Sequence, residues 1–288
     1  MLQRSTRVVF ALLAFAPAMW GQRAAGAPPS KPGEPAPVRQ LGGPWMLRAT
    51  EANRAFYLFT FSKEGPELTP WAQERFKQAK ASNTGAYTLD QLSDDLRGLL
   101  EGLGIRETHF VGLSMGGMIG QVFALKHPAM VQSLVLCDTT SRYPQGAAAV
   151  WEERIKTVGA KGMEPMVAPT LERWFTAPFR ARRKDLMDKV GAMIRSTPAA
   201  GYVGCCHALP KISVTERLRD VRCPALVIVG EEDPGTPVDM ARDIHAALPV
   251  AELAVLCRAS HLSNVEQPEE FNRALGGFLD KASGRTKL

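Results

Sequence analysis

Thr108-His109-Phe110-Val111-Gly112-Leu113-Ser114-Met115-Gly116-Gly117-Met118 is the stretch on which the fold turns. Thr108 to Leu113 is a short apolar run of strand character, and Gly116 to Lys126 reads as a helix ended by His127-Pro128. Between them, Gly112-Leu113-Ser114-Met115-Gly116 fits G-x-S-x-G, a strand-to-helix turn that lifts a serine above a sheet edge. The tightness of that turn explains its spacing. Side chains two residues before and two after the serine would collide, so glycine is required at 112 and 116. The turn leaves Ser114 at the N-terminus of the following helix. There the helix dipole and the Met115 backbone N–H stabilise negative charge developing on an attacked carbonyl. Gly117 extends the small-residue run and lets helix and strand pack closely.

Outward from this turn the chain alternates strands and helices. Upstream, Thr88-Leu89-Asp90-Gln91 starts a helix as a capping box, with Leu89, Leu92, Leu96, Leu99, Leu100 and Leu103 at helical spacing. Gly102 and Gly104 end it. Downstream, Gln132 to Cys137, Ala225 to Gly230 and Glu252 to Cys257 read as strands. Pro237 to Leu248 reads as a helix capped by Thr236, and a final helix runs from Pro268 to about Asp280. This alternation predicts an α/β fold, a mostly parallel sheet with helices on both faces. Residues 139–216 interrupt it with charged helical segments carrying Trp151 and Trp174, the place for a helical cap over the sheet.

A serine nucleophile needs a base, and the base an orienting acid; in folds with this turn they follow in the order serine, acid, histidine. Of the five histidines, His109 lies in the strand before the turn, His127 ends the next helix, and His245 sits inside a helix, which suits structural roles. His207 lies in the interrupting segment. His261 falls in the loop after the strand ending at Cys257, where a base can reach over the serine. Gly230-Glu231-Glu232-Asp233-Pro234 follows another apolar strand and makes Asp233 the expected acid. Asp138, immediately after the strand ending at Cys137, is the alternative acid position. No H-e-x-x-H, C-x-x-C pair or EF-hand loop occurs, and no G-x-G-x-x-G opens a helix, so cofactor-free and metal-free chemistry is expected.

Composition excludes other classes. The 288 residues are 45% hydrophobic and 22% charged, ordinary for a globular protein and far from a disordered, collagen-like or polytopic membrane chain. Lys+Arg 35 against Asp+Glu 29 gives only +6, without a long basic run, so nucleic acid is not an expected partner. Five cysteines make no disulfide framework, and Cys205-Cys206 reads as small apolar packing. The N-terminus differs from the rest. Arg4 and Arg7, the apolar run Val8 to Trp20 and Ala25-Gly26-Ala27 form a signal-peptide-like pattern. Five prolines between Pro28 and Pro37 make an extended linker. Phe56 to Phe61 could be a strand and Trp71 to Lys80 a helix. The expected organisation is therefore a leader and linker over 1–37 and a poorly periodic segment over 38–82. A core carrying the serine turn follows over 83–138, then the cap over 139–216 and a core with the acid and base loops over 217–288.

These residues resemble the α/β-hydrolase superfamily and, within it, the 3-oxoadipate enol-lactonases of aromatic catabolism. The similarity lies in Phe110 to Met118, Arg173-Trp174-Phe175-Thr176, Gly201-Tyr202-Val203-Gly204-Cys205-Cys206, Gly230 to Pro234 and Ser260-His261-Leu262-Ser263-Asn264-Val265-Glu266-Gln267-Pro268. It covers roughly Asn83 to Asp280. The resemblance implies Ser114 as nucleophile, His261 as base, Asp233 as its orienter and the Met115 N–H as oxyanion donor. It implies a small carboxylated lactone or ester as partner, without membrane or cofactor. Arg142 or Arg173 would take the carboxylate, and Trp174 would form an apolar wall. Cytoplasmic action is implied, with export as the alternative offered by the leader-like residues 1–27. General carboxylesterase and cofactor-free haloperoxidase chemistry use the same triad. The chain departs from the family before Asn83: no histidine precedes His109, and Leu41-Gly42-Gly43 is the nearby glycine turn that could supply a second oxyanion donor. Without such a donor the chain would be a catalytically impaired pseudo-hydrolase.

Overall fold

Three apolar strands of this chain send alternate residues to opposite faces, and both faces are covered. Phe110, Leu134, Leu136, Val227 and Val229 enter one core, while Val111, Leu113, Val135, Cys137, Leu226 and Ile228 enter the other. That period of two with apolar residues on both sides is what a buried parallel sheet demands. The computed structural model describes residues 8–12, 86–102 and 105–284 of the chain. Among them five strands, β1 (Val8–Leu12), β2 (Thr108–Leu113), β3 (Val131–Cys137), β4 (Ala225–Gly230) and β5 (Ala251–Leu256), pair in that order, every pair parallel.

Helices α1 (Leu89–Gly102) and α2 (Met115–Lys126) pack together on the first face, α2 lying against β2 and β3. The capping reading at the start of α1 holds: the Gln91 N–H donates to Thr88 Oγ1 at 3.1 Å. Ten of the twelve residues of α2 are buried, which explains why it is apolar all round rather than amphipathic. Phe110 of β2 and Phe123 of α2 are both fully buried with ring centroids 6.1 Å apart. Between β3 and β4 come α3 (Ala147–Lys161), α4 (Val167–Trp174), α5 (Ala177–Arg182), α6 (Lys184–Arg195) and α7 (Ala199–Ala208), all within the interrupting segment. After β4, α8 (Val238–Ala247) returns to the first face. After β5, the short α9 (Ser263–Glu266) and α10 (Pro268–Ala282) follow, α10 spanning β3, β4 and β5 on the second face.

Val8–Leu12, the start of the run with leader character, is a sheet strand whose residues pair in register with His109–Leu113. A short apolar run satisfies either pattern. One expectation is revised. Thr236 is not the cap of α8: Pro237 occupies that position without a side-chain bond, and the threonine hydroxyl is used elsewhere. The expected strand at Phe56–Phe61, the helix at Trp71–Lys80, the Pro28–Pro37 linker and the Leu41-Gly42-Gly43 turn lie outside the described residues. Among the described residues no helix is long and apolar enough to cross a membrane.

Truncating Phe110 to alanine removes a ring from a sealed core between sheet and α2. The Phe110→Ala variant should lose about 3–5 kcal/mol of unfolding free energy, read as a lowered urea midpoint. A loss under about 1 kcal/mol would mean that this core does not carry the sheet.

Candidate active site

All the loops of interest leave the sheet at its carboxyl end, where open α/β sheets place their sites. Ser114 joins β2 to α2 with φ 54° and ψ −118°, a backbone conformation that non-glycine residues adopt only when their surroundings enforce it. Gly112 permits the turn, because a Cβ there would lie 2.3 Å from the Gly116 carbonyl oxygen. The Ser114 N–H donates to Cys137 O at 2.9 Å, and its carbonyl accepts from Gly117 and Met118 N–H and from the Thr139 hydroxyl at 2.7 Å. Serine is a favoured helix cap. Here its hydroxyl makes no cap bond and lies 2.9 Å from His261 Nε2. Met115 opens α2, where first-turn N–H groups have no acceptor within their own helix.

His261 and Asp233 arrive from the loops after β5 and β4. His261 Nδ1 lies 2.7 Å from Asp233 Oδ2, with both side chains buried. A carboxylate only accepts, so Nδ1 carries the proton and Nε2 is left to accept from the Ser114 hydroxyl. Asp233 is held in turn: Gly235 and Thr236 N–H donate to Oδ1 at 2.8 and 3.1 Å, and the Thr236 hydroxyl donates to Oδ2 at 2.6 Å. Burial pushes the Asp233 carboxyl up, but the attraction of His261 and these hydrogen bonds outweigh it and leave it below its ordinary value. A hydroxyl with an imidazole acceptor, itself oriented by a buried carboxylate, can add to a carbonyl carbon and pass its proton to the ring.

Ser114 and His261 open onto a cavity of about 280 Å³ beneath α3, α4 and α7. Much of its wall is apolar, from Leu113, Met163, Trp174, Ile194 and Leu209. Against this stand Arg154 and Arg173, neither of which is ion-paired to a carboxylate among the described residues. Arg154 sits 4.5 Å from the centre of the Trp151 ring, which meets Tyr143 edge-on. Burial first, and then the charge of Arg154, pull the Arg173 guanidinium below its ordinary value. Burial likewise pushes the Tyr143 phenol up to about 12, so it stays a neutral donor at the cavity wall.

Of the residues expected from the sequence, Ser114, Met115, Trp174, Arg173 and His261 line this cavity, and Asp233 lies behind His261. Arg142 does not: its guanidinium is half-exposed and paired with Glu216, so the expected carboxylate role is not supported there. The cavity has Arg154 instead. Reading the sequence missed it because Trp151-Glu152-Glu153-Arg154 looks like any solvated helix face; the only signal was the i, i+3 spacing to Trp151. The remaining histidines are occupied elsewhere or lie on helices. His109 Nδ1 meets Ser133 at 2.8 Å and His127 meets Asp94 at 3.2 Å, while His207 lies on α7 and His245 on α8. A second oxyanion donor from Leu41-Gly42-Gly43 lies outside the described residues.

The helical segment is fastened to the base loop. Leu262 N–H donates to Trp174 O at 3.1 Å, and the Ser260 hydroxyl donates to Arg173 O at 2.8 Å. Buried Glu266 accepts from the Ser260 N–H and from both the N–H and hydroxyl of Thr176. The cavity wall carrying Arg173 and Trp174 is therefore hydrogen-bonded directly to the loop of His261. The sequence showed none of this, since Glu266 reads as one more acidic residue near a helix start.

A parallel sheet with a strained serine turn, acid and histidine loops at its carboxyl end, and a helical segment above defines an architecture shared by many hydrolytic enzymes. The chain belongs to the alpha/beta hydrolase family, whose model matches residues 42–274, beginning ahead of Asn83 where the motifs quoted above start. It is similar to 3-oxoadipate enol-lactonase 2 of Acinetobacter baylyi, 32% identical over 246 residues, covering 80% of this chain and 91% of that protein. Among solved structures it resembles the enol-lactonase from Burkholderia xenovorans LB400 with 31% identity and a TM-score of 0.64, over 67% of this chain and 73% of the other. It also resembles a thermophilic esterase from Thermogutta terrifontis with 28% identity and a TM-score of 0.65, over 68% and 74%.

The lowered Asp233 carboxyl has a consequence for acid stability. Its stabilisation is complete above the ordinary value near 3.9 and is lost as the pH falls through the lower folded-state value. The melting temperature of the unsubstituted protein should therefore exceed that of Asp233→Asn at neutral pH, with the gap narrowing below about pH 4. A gap that stays constant across that range would show that the ionised carboxylate contributes nothing.

Proposed function

We propose that the protein is a serine hydrolase of small carboxylated lactones, with the 3-oxoadipate enol-lactone as its substrate and 3-oxoadipate as product. The observation that carries this reading is one continuous arrangement. The Ser114–His261–Asp233 contacts of 2.9 and 2.7 Å open onto a cavity in which Arg154 and Arg173 make no ion pair with a carboxylate among the described residues. A pair of guanidiniums over a largely apolar wall fits a small substrate bearing negative charge. The enol-lactonase relatives support the choice of lactone.

In this reading Ser114 Oγ attacks the lactone carbonyl while its proton passes to His261 Nε2. Asp233 holds the ring in the correct tautomer and stabilises the imidazolium. The developing oxyanion faces the Met115 N–H and the N-terminus of α2; one such donor is typically worth about 3 kcal/mol of barrier, or roughly 100-fold in rate. Collapse of the intermediate breaks the ring C–O bond, and the enol oxygen leaves with the proton from His261. Water, deprotonated by His261, then hydrolyses the acyl-serine and returns the proton to Ser114. Residues 139–216 act as a cap, supplying Arg154, Arg173 and Trp174 to hold and cover the substrate. A general carboxylesterase is the second reading; the largely apolar wall and the esterase relative favour it.

Parallel assays of a carboxylated enol-lactone and a neutral aryl ester separate these. Ser114→Ala should abolish both activities while folding is retained, and undiminished turnover would remove the serine from the reaction. Arg154→Ala and Arg173→Ala should each raise KM for the lactone by about 10- to 100-fold, as expected when a charged hydrogen bond is lost. The neutral ester should change by less than about threefold. Equal effects on both substrates would favour the carboxylesterase.

A further inference from the structure

Asp138, in the turn after β3, has no part in the reaction described above. It is fully buried and holds φ 45°, making it, like Ser114, a non-glycine residue in the left-handed region directly after a strand. Its carboxyl oxygens are engaged by two different loops. The N–H of Gly230, where β4 ends and the loop to Asp233 begins, donates to Oδ1 at 2.8 Å. The hydroxyl of Ser263, two residues past His261, donates to Oδ2 at 2.6 Å. The backbone of the same turn reaches further. Asp138 N–H donates to Ile228 O at 2.8 Å, Cys137 O accepts from Ser114 N–H, and the Thr139 hydroxyl holds Ser114 O. The acid and base loops also touch directly, since a Cβ on Gly230 would lie 2.3 Å from Ser260 O.

We propose that Asp138 is a positioning residue, a clamp that sets the acid loop and the base loop at the spacing from which Asp233 and His261 can serve Ser114. This rests on the serine-hydrolase reading. Asp138 makes no hydrogen bond to His261, whose Nδ1 is taken by Asp233, so it is not the orienting acid. Burial, reinforced by the neighbouring Asp233 carboxylate, pushes the Asp138 carboxyl well above its ordinary value, against the pull of the Ser263 hydroxyl and the Gly230 N–H that donate to it. Asparagine keeps the shape of the side chain and both links: its oxygen can accept from Gly230 N–H, and its amide can donate to Ser263 Oγ, reversing the bond in which that hydroxyl donates to Asp138. Alanine removes both links.

The test compares the full-length protein with Asp138→Ala, Asp138→Asn and Ser263→Ala. The readouts are kcat and KM on a neutral aryl ester and the rate at which a fluorophosphonate labels Ser114. Asp138→Ala should lower kcat by about 100-fold, the scale of a small misplacement of catalytic groups, with KM within about threefold. Asp138→Asn should restore kcat to within about threefold of the unsubstituted enzyme, and Ser263→Ala, which removes one link and leaves the buried acid in place, should lower it by about 3- to 10-fold. Wild-type kcat in Asp138→Ala would overturn the clamp. So would an Asp138→Asn variant as slow as the alanine one. If Asp138→Ala does not fold, wild-type kcat in Ser263→Ala overturns it. Failure of the unsubstituted protein to label would overturn the hydrolase reading together with the clamp; normal labelling with unaffected variants overturns the clamp alone.

Discussion

The rest of the site depends on one constraint, the left-handed turn at Ser114. A serine at φ 54° is strained, and the strain persists only because its neighbours leave no alternative. Its N–H and carbonyl are bound by the turn after β3 and by the first turn of α2, and the glycine before the turn allows a backbone approach that no side chain would permit. The outcome is a hydroxyl at a helix N-terminus that makes no cap bond and instead faces an imidazole. A parallel sheet makes this possible, because consecutive strands bring their carboxyl ends, and the loops that leave them, to one side.

Electrostatics in the site follow from burial combined with selective pairing. Asp138 and Asp233 are buried side by side and Arg173 is half-buried at the cavity wall, and each responds according to its partners. Asp233 has a histidine and three donors, so its carboxylate is favoured despite burial. At Asp138 burial and the carboxylate neighbour outweigh its donors, and its carboxyl is pushed well above its ordinary value. Arg173 has another guanidinium nearby and no carboxylate partner among the described residues, so its charge is left facing the cavity. The contacts of Ser260, Leu262 and Glu266 tie this wall to the loop that carries His261.

Much of the fold was legible because both periodicities are local. The leucines from Leu89 to Leu100 and the apolar strands β2, β3 and β4 reveal their elements without knowledge of their neighbours. Ser114 was legible from glycine spacing, and Asp233 and His261 from their places after late strands. Arg142 and Arg154 were not distinguishable in the same way. Each is a basic residue within three positions of an aromatic one, and only the path of the chain sends Arg142 out to Glu216 and Arg154 in over Trp151. Thr236 similarly looked like a cap, and a buried carboxylate claimed its hydroxyl.

By itself, the sequence determined the layered parallel architecture, the serine turn and the chain order of the groups around it, since these rest on periodicity and on steric needs within a few residues. Tertiary structure alone decided that Val8–Leu12 completes the described sheet beside β2, that Arg154 faces the cavity, and that Asp138 and Glu266 bind loops distant in the chain. Those outcomes are contacts between segments far apart in sequence. A hydrogen bond spanning 125 residues, such as Ser263 to Asp138, leaves no local pattern to read.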